Sequence, residues 1–303
     1  AYLVAGKNVE VLPQRDPISN ISKMLFGNMP RDGGGFSLSG QERSEVLRKY
    51  PEISDYIRPF LGSEQMIQGK ERWCVWIDEE NKTFAEKHEF LKSVMEFVKE
   101  FRLQSSAAST KDFASKSYRF VQIAGVAKSH SLGVAKVSSE KREYLPIDLL
   151  DSATIVSDLL FALYDAPLWN MSIISSKLHM AWVATVCGKM KTDYRYSNTL
   201  GWNTFPVPDL TEKNKQDLTI SAEDILLARE SHFPATIADL YDPEKMPENL
   251  RLAHERNDEV LERIYIGRRF KNDTERLEKL FDLYTKMVEK NKPVIKNKRK
   301  ESK

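Results

Sequence analysis

The sequence predicts an α+β protein in which a mixed, β-rich N-terminal part is followed by a mainly α-helical C-terminal domain. Three observations lead to this prediction. Residues 118–165 contain short apolar runs separated by polar turns, a pattern typical of strands. Residues after 210 carry apolar side chains at helical spacing among charged ones. Between the two patterns stand Pro206 and Pro208, which favour a domain boundary at residue 208.

The composition limits the class of protein. A chain of 303 residues with 41% hydrophobic side chains can bury one large core or two ordinary ones. It has no apolar run near the roughly 18 to 20 residues of a membrane helix. It also lacks a signal-peptide pattern, so we expect a cytoplasmic protein without membrane contact. The net charge of +2 is small, so any nucleic-acid surface should be a local patch.

The cysteines and histidines do not favour a metal site. Cys74 and Cys187 lie in apolar stretches, which predicts buried thiols rather than a disulfide or zinc ligands. The histidines are not paired at ligand spacing, so we expect no bound metal. His179 lies on an apolar helical segment and is predicted to be a hydrogen-bonded core histidine. His254 and Asp258 are one helical turn apart, so the carboxylate can orient the imidazole, or the two side chains can cap or bridge to neighbours.

The N-terminal residues are predicted to contain one strand or hairpin and a tight loop. In residues 1–20 the apolar positions stop at two prolines, which predicts a strand or hairpin and then a linker. The chain begins at Ala1 without an initiator methionine, so we expect a fragment in which residues 1–20 are the tail of a preceding domain. Glycines and a proline surround Asp32 in residues 24–40, which predicts a loop with positive φ.

The next segments alternate between helix and strand. A helix is predicted from Gly40 to Lys49, because the segment has a polar start and ends before Pro51. Residues 83–103 carry aromatic and aliphatic side chains at helical spacing, which predicts one amphipathic helix. The apolar run before it predicts a strand. The side chains of that strand expected in the core are Trp73, Val75 and Ile77.

The second half of the chain is predicted to change from strands to helices. Further strands and one helix are predicted at residues 118–127, 132–139, 154–164 and 170–190. Charged amphipathic helices should then fill residues 209–290, with Ser221 and Asp224 as an N-cap pair. Residues 291–303 form a basic tail with little to bury.

The sequence lacks the common catalytic and cofactor motifs. It has no dinucleotide fingerprint, P-loop, zinc-protease helix or serine-hydrolase elbow. The glycines at 33–35 follow a loop rather than a clear strand, so a turn is a better interpretation than a phosphate cradle. We therefore assign no catalytic residue. The residues alone leave three alternatives: a binding module, a protein-interaction module, and an enzyme with a novel site.

Several long segments resemble one family of DNA-modifying enzymes. In order along the chain, the segments are residues 26–39, 58–76, 138–146, 175–208 and 240–265. They resemble the back half of the MmeI-like adenine-N6 DNA methyltransferases, the type IIL restriction-modification proteins and their relatives. The likeness covers nearly the whole chain, and residues 1–16 resemble the tail that leaves the family's methyltransferase domain.

The resemblance implies a division of labour. It implies that residues 21–208 are a DNA target-recognition domain and residues 209–290 a helical C-terminal domain. The family's Asn-Pro-Pro-aromatic motif is missing, since Phe205–Pro208 and Pro167–Asn170 do not match it. The chain alone is therefore expected to be non-catalytic and to hold no cofactor. S-adenosylmethionine would belong to the parent enzyme, and the expected partners are double-stranded DNA and the methyltransferase domain of the same polypeptide.

Three polar clusters are the candidate DNA-binding residues, because loops on a rigid sheet commonly carry recognition side chains. The first cluster is Lys128, Ser129, His130 and Ser131. The second is Ser138, Ser139, Glu140, Lys141 and Arg142. The third is Lys189, Lys191, Arg195, Tyr196, Ser197 and Asn198, where aromatic residues interleave with cations.

These residue types suit both kinds of DNA contact. Lysine and serine suit phosphates, Arg142 suits guanine or a phosphate, and Glu140 can accept from a cytosine amino group. An ordinary solvated turn is the alternative for the second cluster, and a core position is the alternative for aromatic residues of the third. The basic tail either adds sequence-independent attraction to DNA or is a solvated terminus.

Overall fold

The computed structural model describes residues 9–290 and confirms the α+β class. Residues 1–8 of the predicted N-terminal strand and the predicted tail at 291–303 lie outside the described residues. The strands are β1 Leu25–Phe26, β2 Ser37–Leu38, β3 Ile57–Leu61, β4 Trp73–Val75, β5 His130–Ala135, β6 Val137–Ser138, β7 Ile147–Asp151, β8 Ile155–Val156, β9 Leu160–Tyr164, β10 Gly188–Met190 and β11 Asp193–Arg195. The helices are α1 Gly40–Lys49, α2 Ser63–Gln68, α3 Lys82–Ala85, α4 Glu89–Gln104, α5 Ala108–Lys111, α6 Trp169–Ile174, α7 Lys177–Val186, α8 Glu212–Glu230, α9 Ile237–Leu240, α10 Glu248–Ile266 and α11 Asp273–Lys290.

The described strands form three sheets. The central sheet has the order β1-β9-β5-β7 and is antiparallel, with Leu132 of β5 opposite both Leu149 and Leu163. A second sheet has the order β2-β4-β3-β8, in which β3 and β8 run parallel. A small third sheet, β10-β11-β6, continues from the end of β5. Through β6, which follows β5, the third sheet is therefore joined directly to the central sheet.

Two hydrophobic cores hold these elements together. The larger core joins the central sheet to α6, α7 and the C-terminal helices, and Trp182 packs 5.1 Å from Phe281 across it. The smaller core lies between the second sheet and α4, where Phe120 makes edge contacts with Phe60 and Trp76. Because the larger core includes residues on both sides of 208, the boundary proposed there does not coincide with a gap in the packing.

Several predicted features are confirmed. Helix α1 has the predicted bounds, and Ser39 and Glu42 form a capping box at its start. Gly33 and Gly34 have φ of +65° and +90°, as the loop at 24–40 requires. Cys74 and Cys187 are buried free thiols whose pKa values are raised by burial.

Two predicted strand segments do not form in the described residues. Of the strand or hairpin predicted in residues 1–20, residues 9–20 form no strand, and Pro13 and Pro17 there have no N–H to donate to a ladder. Individual main-chain hydrogen bonds attach this segment to the rest of the protein; for example, the N–H of Ile18 donates to the carbonyl of Asn203 at 2.8 Å. Residues 118–127 form only one bridge, between Gln122 and Met29, because the Asn28 side chain accepts from the neighbouring N–H groups of residues 124 and 125.

Three predicted helices begin or break elsewhere. Residues 83–103 form two helices, since extended backbone at His88 caps α4. Residues 170–186 form two helices, because the Ser176 hydroxyl accepts from the N–H of His179 and starts α7, and residues 188–190 of the predicted helix are strand β10 instead. Helix α8 is capped by Thr211, so the predicted cap at Ser221 is wrong: that hydroxyl donates to the carbonyl of Asp217 inside the helix.

The core predictions for individual side chains are largely confirmed. Val75 and Ile77 are buried, whereas Trp73 is only partly buried and has the Arg43 guanidinium 3.9 Å above its ring. His179 is a buried, hydrogen-bonded core histidine. In residues 9–290, no helix is long and apolar enough to cross a membrane, and no group of three potential ligand side chains is placed to hold a metal.

Candidate nucleic-acid interface

The fold brings two of the three polar clusters together. The first cluster lies at the start of β5, and the second follows β6 beyond its far end. Strand β5 has six residues, so these clusters are separated by a strand about 20 Å long. The third cluster lies on the β10–β11 hairpin, which pairs with β6 through Tyr194 opposite Ser138. The second and third clusters therefore share one surface, which we call the hairpin surface (residues 139–142 and 188–195).

The hairpin surface is rich in cations. The positively charged side chains are Lys141, Arg142, Lys189, Lys191 and Arg195, and all but Arg142 are in exposed positions. Glu140 and Asp193 are anions on the same surface, and Oε2 of Glu140 lies 3.4 Å from Nζ of Lys189. Because both partners of this ion pair are about half exposed, it contributes at most about 1 kcal/mol and can open for a phosphate or a base.

Arg142 occupies a more enclosed position than its neighbours. Burial lowers its pKa, while the charges of Asp193 and Asp242 act in the opposite direction. A guanidinium remains protonated at neutral pH and presents a planar fork of donors. Arg142 is therefore a partly buried cation among exposed lysines, and its guanidinium is chemically suited to a base-edge contact.

Three predicted contact residues are buried and cannot touch DNA in this structure. Ser131 and Ser138 are buried, which excludes them from any groove. Tyr196 is also buried, and its hydroxyl lies 3.0 Å from Nε2 of His179. For these three the prediction is corrected: β5 is covered on both faces from Ser131 to Ala135, Ser138 is 1% exposed, and the Tyr196 ring packs against Phe161 and His179.

Two further predicted contacts have structural partners. The Ser197 hydroxyl accepts from the N–H of Leu200, and Nδ2 of Asn198 donates to the carbonyl of Met24 at 3.1 Å. These bonds fix a short π-helical turn, Asn198–Trp202, beneath the hairpin. Ser197 and Asn198 therefore support the hairpin surface rather than extend it.

The first cluster is closed by an acidic residue that the sequence did not indicate. The Asp165 carboxylate accepts from the N–H groups of Lys128 at 2.9 Å and Ser129 at 2.7 Å. The His130 ring lies between the Ser129 hydroxyl and the carbonyl of Ala166, at 2.9 and 2.8 Å. The N–H groups that would bind a phosphate are thus already occupied, and Lys128 is the exposed cation that remains.

Asp165 should hold this loop in a charge-dependent way. Hydrogen bonds from Ser129 and Lys128 lower its pKa to about 2. Because this value is below that of the unfolded chain, its contribution is present above about pH 4 and is lost as the pH falls towards 2. We expect Asp165→Asn to speed amide hydrogen exchange at residues 128–130, measured by mass spectrometry at neutral pH.

A second aspartate provides the control for this experiment. Asp239 accepts from the N–H and hydroxyl of Thr236 at the start of α9, away from this loop. Asp239→Asn should therefore leave exchange at residues 128–130 unchanged. Equal exchange at those residues in the Asp165→Asn variant and the parent chain would contradict this role of the carboxylate.

Both parts of the chain match known protein families. Residues 5–209 match the family described as "MmeI, target recognition domain", and residues 210–291 match "MmeI, C-terminal domain". The chain is 38% identical over 289 residues to DNA methyltransferase A of Bacillus subtilis (strain 168), covering 95% of this chain and 33% of that protein.

A solved structure agrees with these sequence matches. The type IIL restriction-modification enzyme MmeI, determined in complex with DNA, superposes with a TM-score of 0.88 at 31% identity. The match covers 94% of this chain and 38% of that one. The chain thus spans about a third of the length of the relatives it matches.

Proposed function

Because the chain belongs to the MmeI target-recognition family and also carries that family's C-terminal domain, we propose that it is the DNA-recognition portion of a site-specific adenine-N6 DNA methyltransferase of a restriction-modification system. The observation that carries the proposal is the hairpin surface, where two separate polar segments converge as a cationic patch. Methyl transfer would take place on a catalytic domain outside this chain. The chain itself would position the duplex for it.

The side chains of the hairpin surface suggest distinct roles. The exposed lysines at 141, 189 and 191 and the arginine at 195 suit phosphate contacts, which set position but carry no sequence information. Arg142 suits the O6 and N7 acceptors of guanine, and Glu140 suits the amino group of cytosine. We propose these two as the specificity residues, since their neighbours supply affinity.

The proposal extends to partners and cofactor. Double-stranded DNA and the methyltransferase domain of the same polypeptide are the proposed partners, in the cytoplasm. S-adenosylmethionine would bind the catalytic domain. In the described part of the chain, the depression along α4 is lined largely by charged surface residues such as Lys92 and Glu96, which does not fit such a cofactor. We also propose the domain division at residue 208.

Replacing Arg142 tests the specificity role. From a pool of randomised duplexes, the parent chain should select a defined sequence, and Arg142→Ala should relax the choice at one base pair. The expected loss of affinity is about 1 to 3 kcal/mol for the selected sequence. Arg142→Lys should not restore the choice, because an ammonium lacks the planar fork. Sequencing of the bound pool and fluorescence anisotropy measure both effects.

Matched lysine variants separate phosphate contacts from general charge effects. Lys189→Ala should weaken binding to all duplexes alike. It should also reduce the slope of the logarithm of the binding constant against the logarithm of salt concentration by about one unit, because one fewer counterion is released. Lys92→Ala removes a lysine from a similar exposed ion pair on α4 and should change neither. If the parent chain binds no duplex even at low salt, independent DNA binding is refuted. Methyl transfer by this chain alone would refute the non-catalytic assignment.

A docking role with little independent DNA binding is the second candidate. Its support is a set of exposed apolar side chains on or near α8, where Phe233 is 86% exposed and Ile220 and Leu227 are also exposed. Exposed apolar groups that recur on one helix suit a protein contact. This candidate predicts that the isolated chain binds its catalytic domain but not duplex DNA.

A further inference from the structure

An exposed aromatic ring stands at the edge of the central sheet, beside the hairpin surface. Phe26 belongs to the edge strand β1 and pairs with Phe161 of β9. Its side chain is 52% exposed, while its inner edge meets the Phe161 ring at 5.0 Å between centroids. The Phe26 ring is thus held in place by Phe161 while about half of its surface remains exposed.

A lysine ammonium lies over the same ring. Nζ of Lys136 is 4.3 Å from the centroid of Phe26 and 4.9 Å from that of Phe161. It donates to the main-chain carbonyl of Asp158 rather than to a carboxylate. Burial lowers the pKa of Lys136, and the charge of Asp158 partly opposes the shift. A cation that is held in place without an ion-paired carboxylate is available to an anion.

Lys136 is continuous with the hairpin surface. Its carbonyl accepts from the N–H of Tyr196 at 2.8 Å, which extends the pairing of β11 with β6 by one step. Further along the same pairing, Tyr194 of β11 lies opposite Ser138 of β6. Nζ of Lys189 lies 5.1 Å from the Tyr194 ring. The Phe26–Lys136 pair and the Tyr194–Lys189 pair are therefore close neighbours along this strand pairing.

We propose that Phe26 and Lys136 form a binding site for an unpaired DNA base and its phosphate. The proposal rests on the proposed function. Within a duplex both faces of a base are covered by neighbours, so an exposed aromatic ring can stack only on a base that has left the stack. Methylation of an adenine rotated out of the helix leaves one base without a partner. Phe26 would stack on that base, and Lys136 would bind the adjoining phosphate.

The pairing of a ring with a cation favours nucleic acid over protein as the occupant. A purely apolar contact would have to bury the Lys136 ammonium, which burial already disfavours. A nucleotide instead supplies a flat π face for the ring and an anionic oxygen for the ammonium. The site also lies beside residues already proposed to bind DNA, and not on a separate surface.

The test compares a matched duplex, the same duplex with one unpaired thymine, and the same bulge with an abasic nucleotide. The intact 303-residue chain should bind the thymine bulge about tenfold more tightly than the matched duplex. The abasic bulge should lose this preference, because it retains the backbone distortion without the base. Fluorescence anisotropy at fixed salt gives the three affinities.

Variants assign the preference to the ring and the ammonium. Phe26→Leu should abolish the preference for the thymine bulge, and Phe26→Tyr should keep it. Phe97→Leu is the matched control, because Phe97 on α4 is also 52% exposed, and it should leave the preference intact. Lys136→Met should weaken binding to all three duplexes. Thermal melting should show that each variant is folded.

The outcomes distinguish this inference from the proposed function. If the parent chain selects a duplex sequence but shows no preference for the bulge, or if Phe26→Leu keeps the preference, the unpaired-base site is refuted and the recognition role stands. If Phe26→Leu leaves DNA binding intact but weakens binding to the catalytic domain, the ring is a protein contact and the inference is wrong. If the parent chain binds no DNA at all, both proposals fail.

Discussion

Replacing Arg102 with methionine should lower the free energy of unfolding by about 3 to 5 kcal/mol, the largest effect we expect from a single substitution outside the candidate interface. Arg102 is fully buried on α4. Its guanidinium donates to five main-chain carbonyls, those of Pro30, Arg31, Phe113, Lys116 and Arg119, at 2.8 to 3.1 Å. Methionine fills the space but leaves these acceptors without a donor.

The five bonds explain the size of the expected effect. Arginine has five N–H donors, and this site uses all of them, although burial lowers the pKa of Arg102 to about 10. A buried acceptor that loses its partner costs about 1 to 3 kcal/mol, so two or three such losses account for the estimate. Arg102→Lys should recover only part of the stability, since an ammonium has three donors.

Denaturant unfolding followed by circular dichroism measures this effect. The matched control is Arg48→Met on the exposed side of α1, which should change stability by no more than about 0.5 kcal/mol. A loss below about 1 kcal/mol in Arg102→Met would show that water or backbone movement satisfies the carbonyls. In that case Arg102 would not organise the loop at Pro30 and Arg31.

Arg102 also shows where inference from sequence stops. The helix around it was predicted from the spacing of its apolar residues, and Arg102 was not among them. Arg102 follows Val98 by four residues and so continues the buried stripe of α4, but the sequence does not show what would satisfy a buried guanidinium there. Its guanidinium is satisfied by carbonyls from two segments, residues 30–31 and 113–119, which only the tertiary fold brings together around it. The hydrogen-bond partners of this buried charge are therefore not predictable from the local sequence.

Element types were more predictable than element ends. The capping box at Ser39 and Glu42 and the stop before Pro51 set α1 by local chemistry, so its bounds were predicted correctly. The breaks at His88 and Ser176 depend on single side chains that cap the next helix, which spacing of apolar residues does not reveal. The missing strand at 118–127 depends on Asn28, almost 100 residues away in sequence.

The sequence indicated which residues could contact DNA, but not which of them lie together on one surface. Polar turns identified the two segments, but only the pairing of β6 with β11 shows that residues 139–142 and 188–195 are neighbours. The burial of Ser131 depends on tertiary packing, because β5 is a central strand covered on both faces from Ser131 to Ala135. The closure of residues 128–130 by Asp165 could not be foreseen either, since Asp165 follows a different strand.

Stability should fall steeply as the pH is lowered from about 6.5 to 4. His179 and His254 are both buried, and burial lowers the pKa of each to about 3. In the unfolded chain each takes up a proton near pH 6.5. Below that pH the unfolded state binds two protons that the folded state excludes, so the free energy of unfolding decreases on acidification.

Asp258 acts in the opposite direction. Burial raises its pKa to about 7, although it accepts from the N–H of Lys177 and the Tyr144 hydroxyl. Between about pH 4 and 7 its folded form holds a proton that the unfolded chain has released, so its contribution is greatest at low pH and is lost towards pH 7. In this range the unfolded chain binds two more protons at the histidines and the folded chain binds one more at Asp258. The free energy of unfolding therefore changes by about 1.4 kcal/mol per pH unit.

The substitution Asp258→Asn separates these opposing effects. Asparagine can still accept from Lys177 and donate to Tyr144, but it does not titrate. The slope between pH 4.5 and 6 should therefore rise to about 2.7 kcal/mol per unit, and stability above pH 7 should increase because no buried charge forms. Chemical denaturation at several pH values measures both changes.

The imidazole of His254 is held between the Tyr241 hydroxyl and the carbonyl of Ser175 rather than by Asp258. The variant should thus leave the histidine contribution intact, and an unchanged slope would show that Asp258 is ionised in the folded protein.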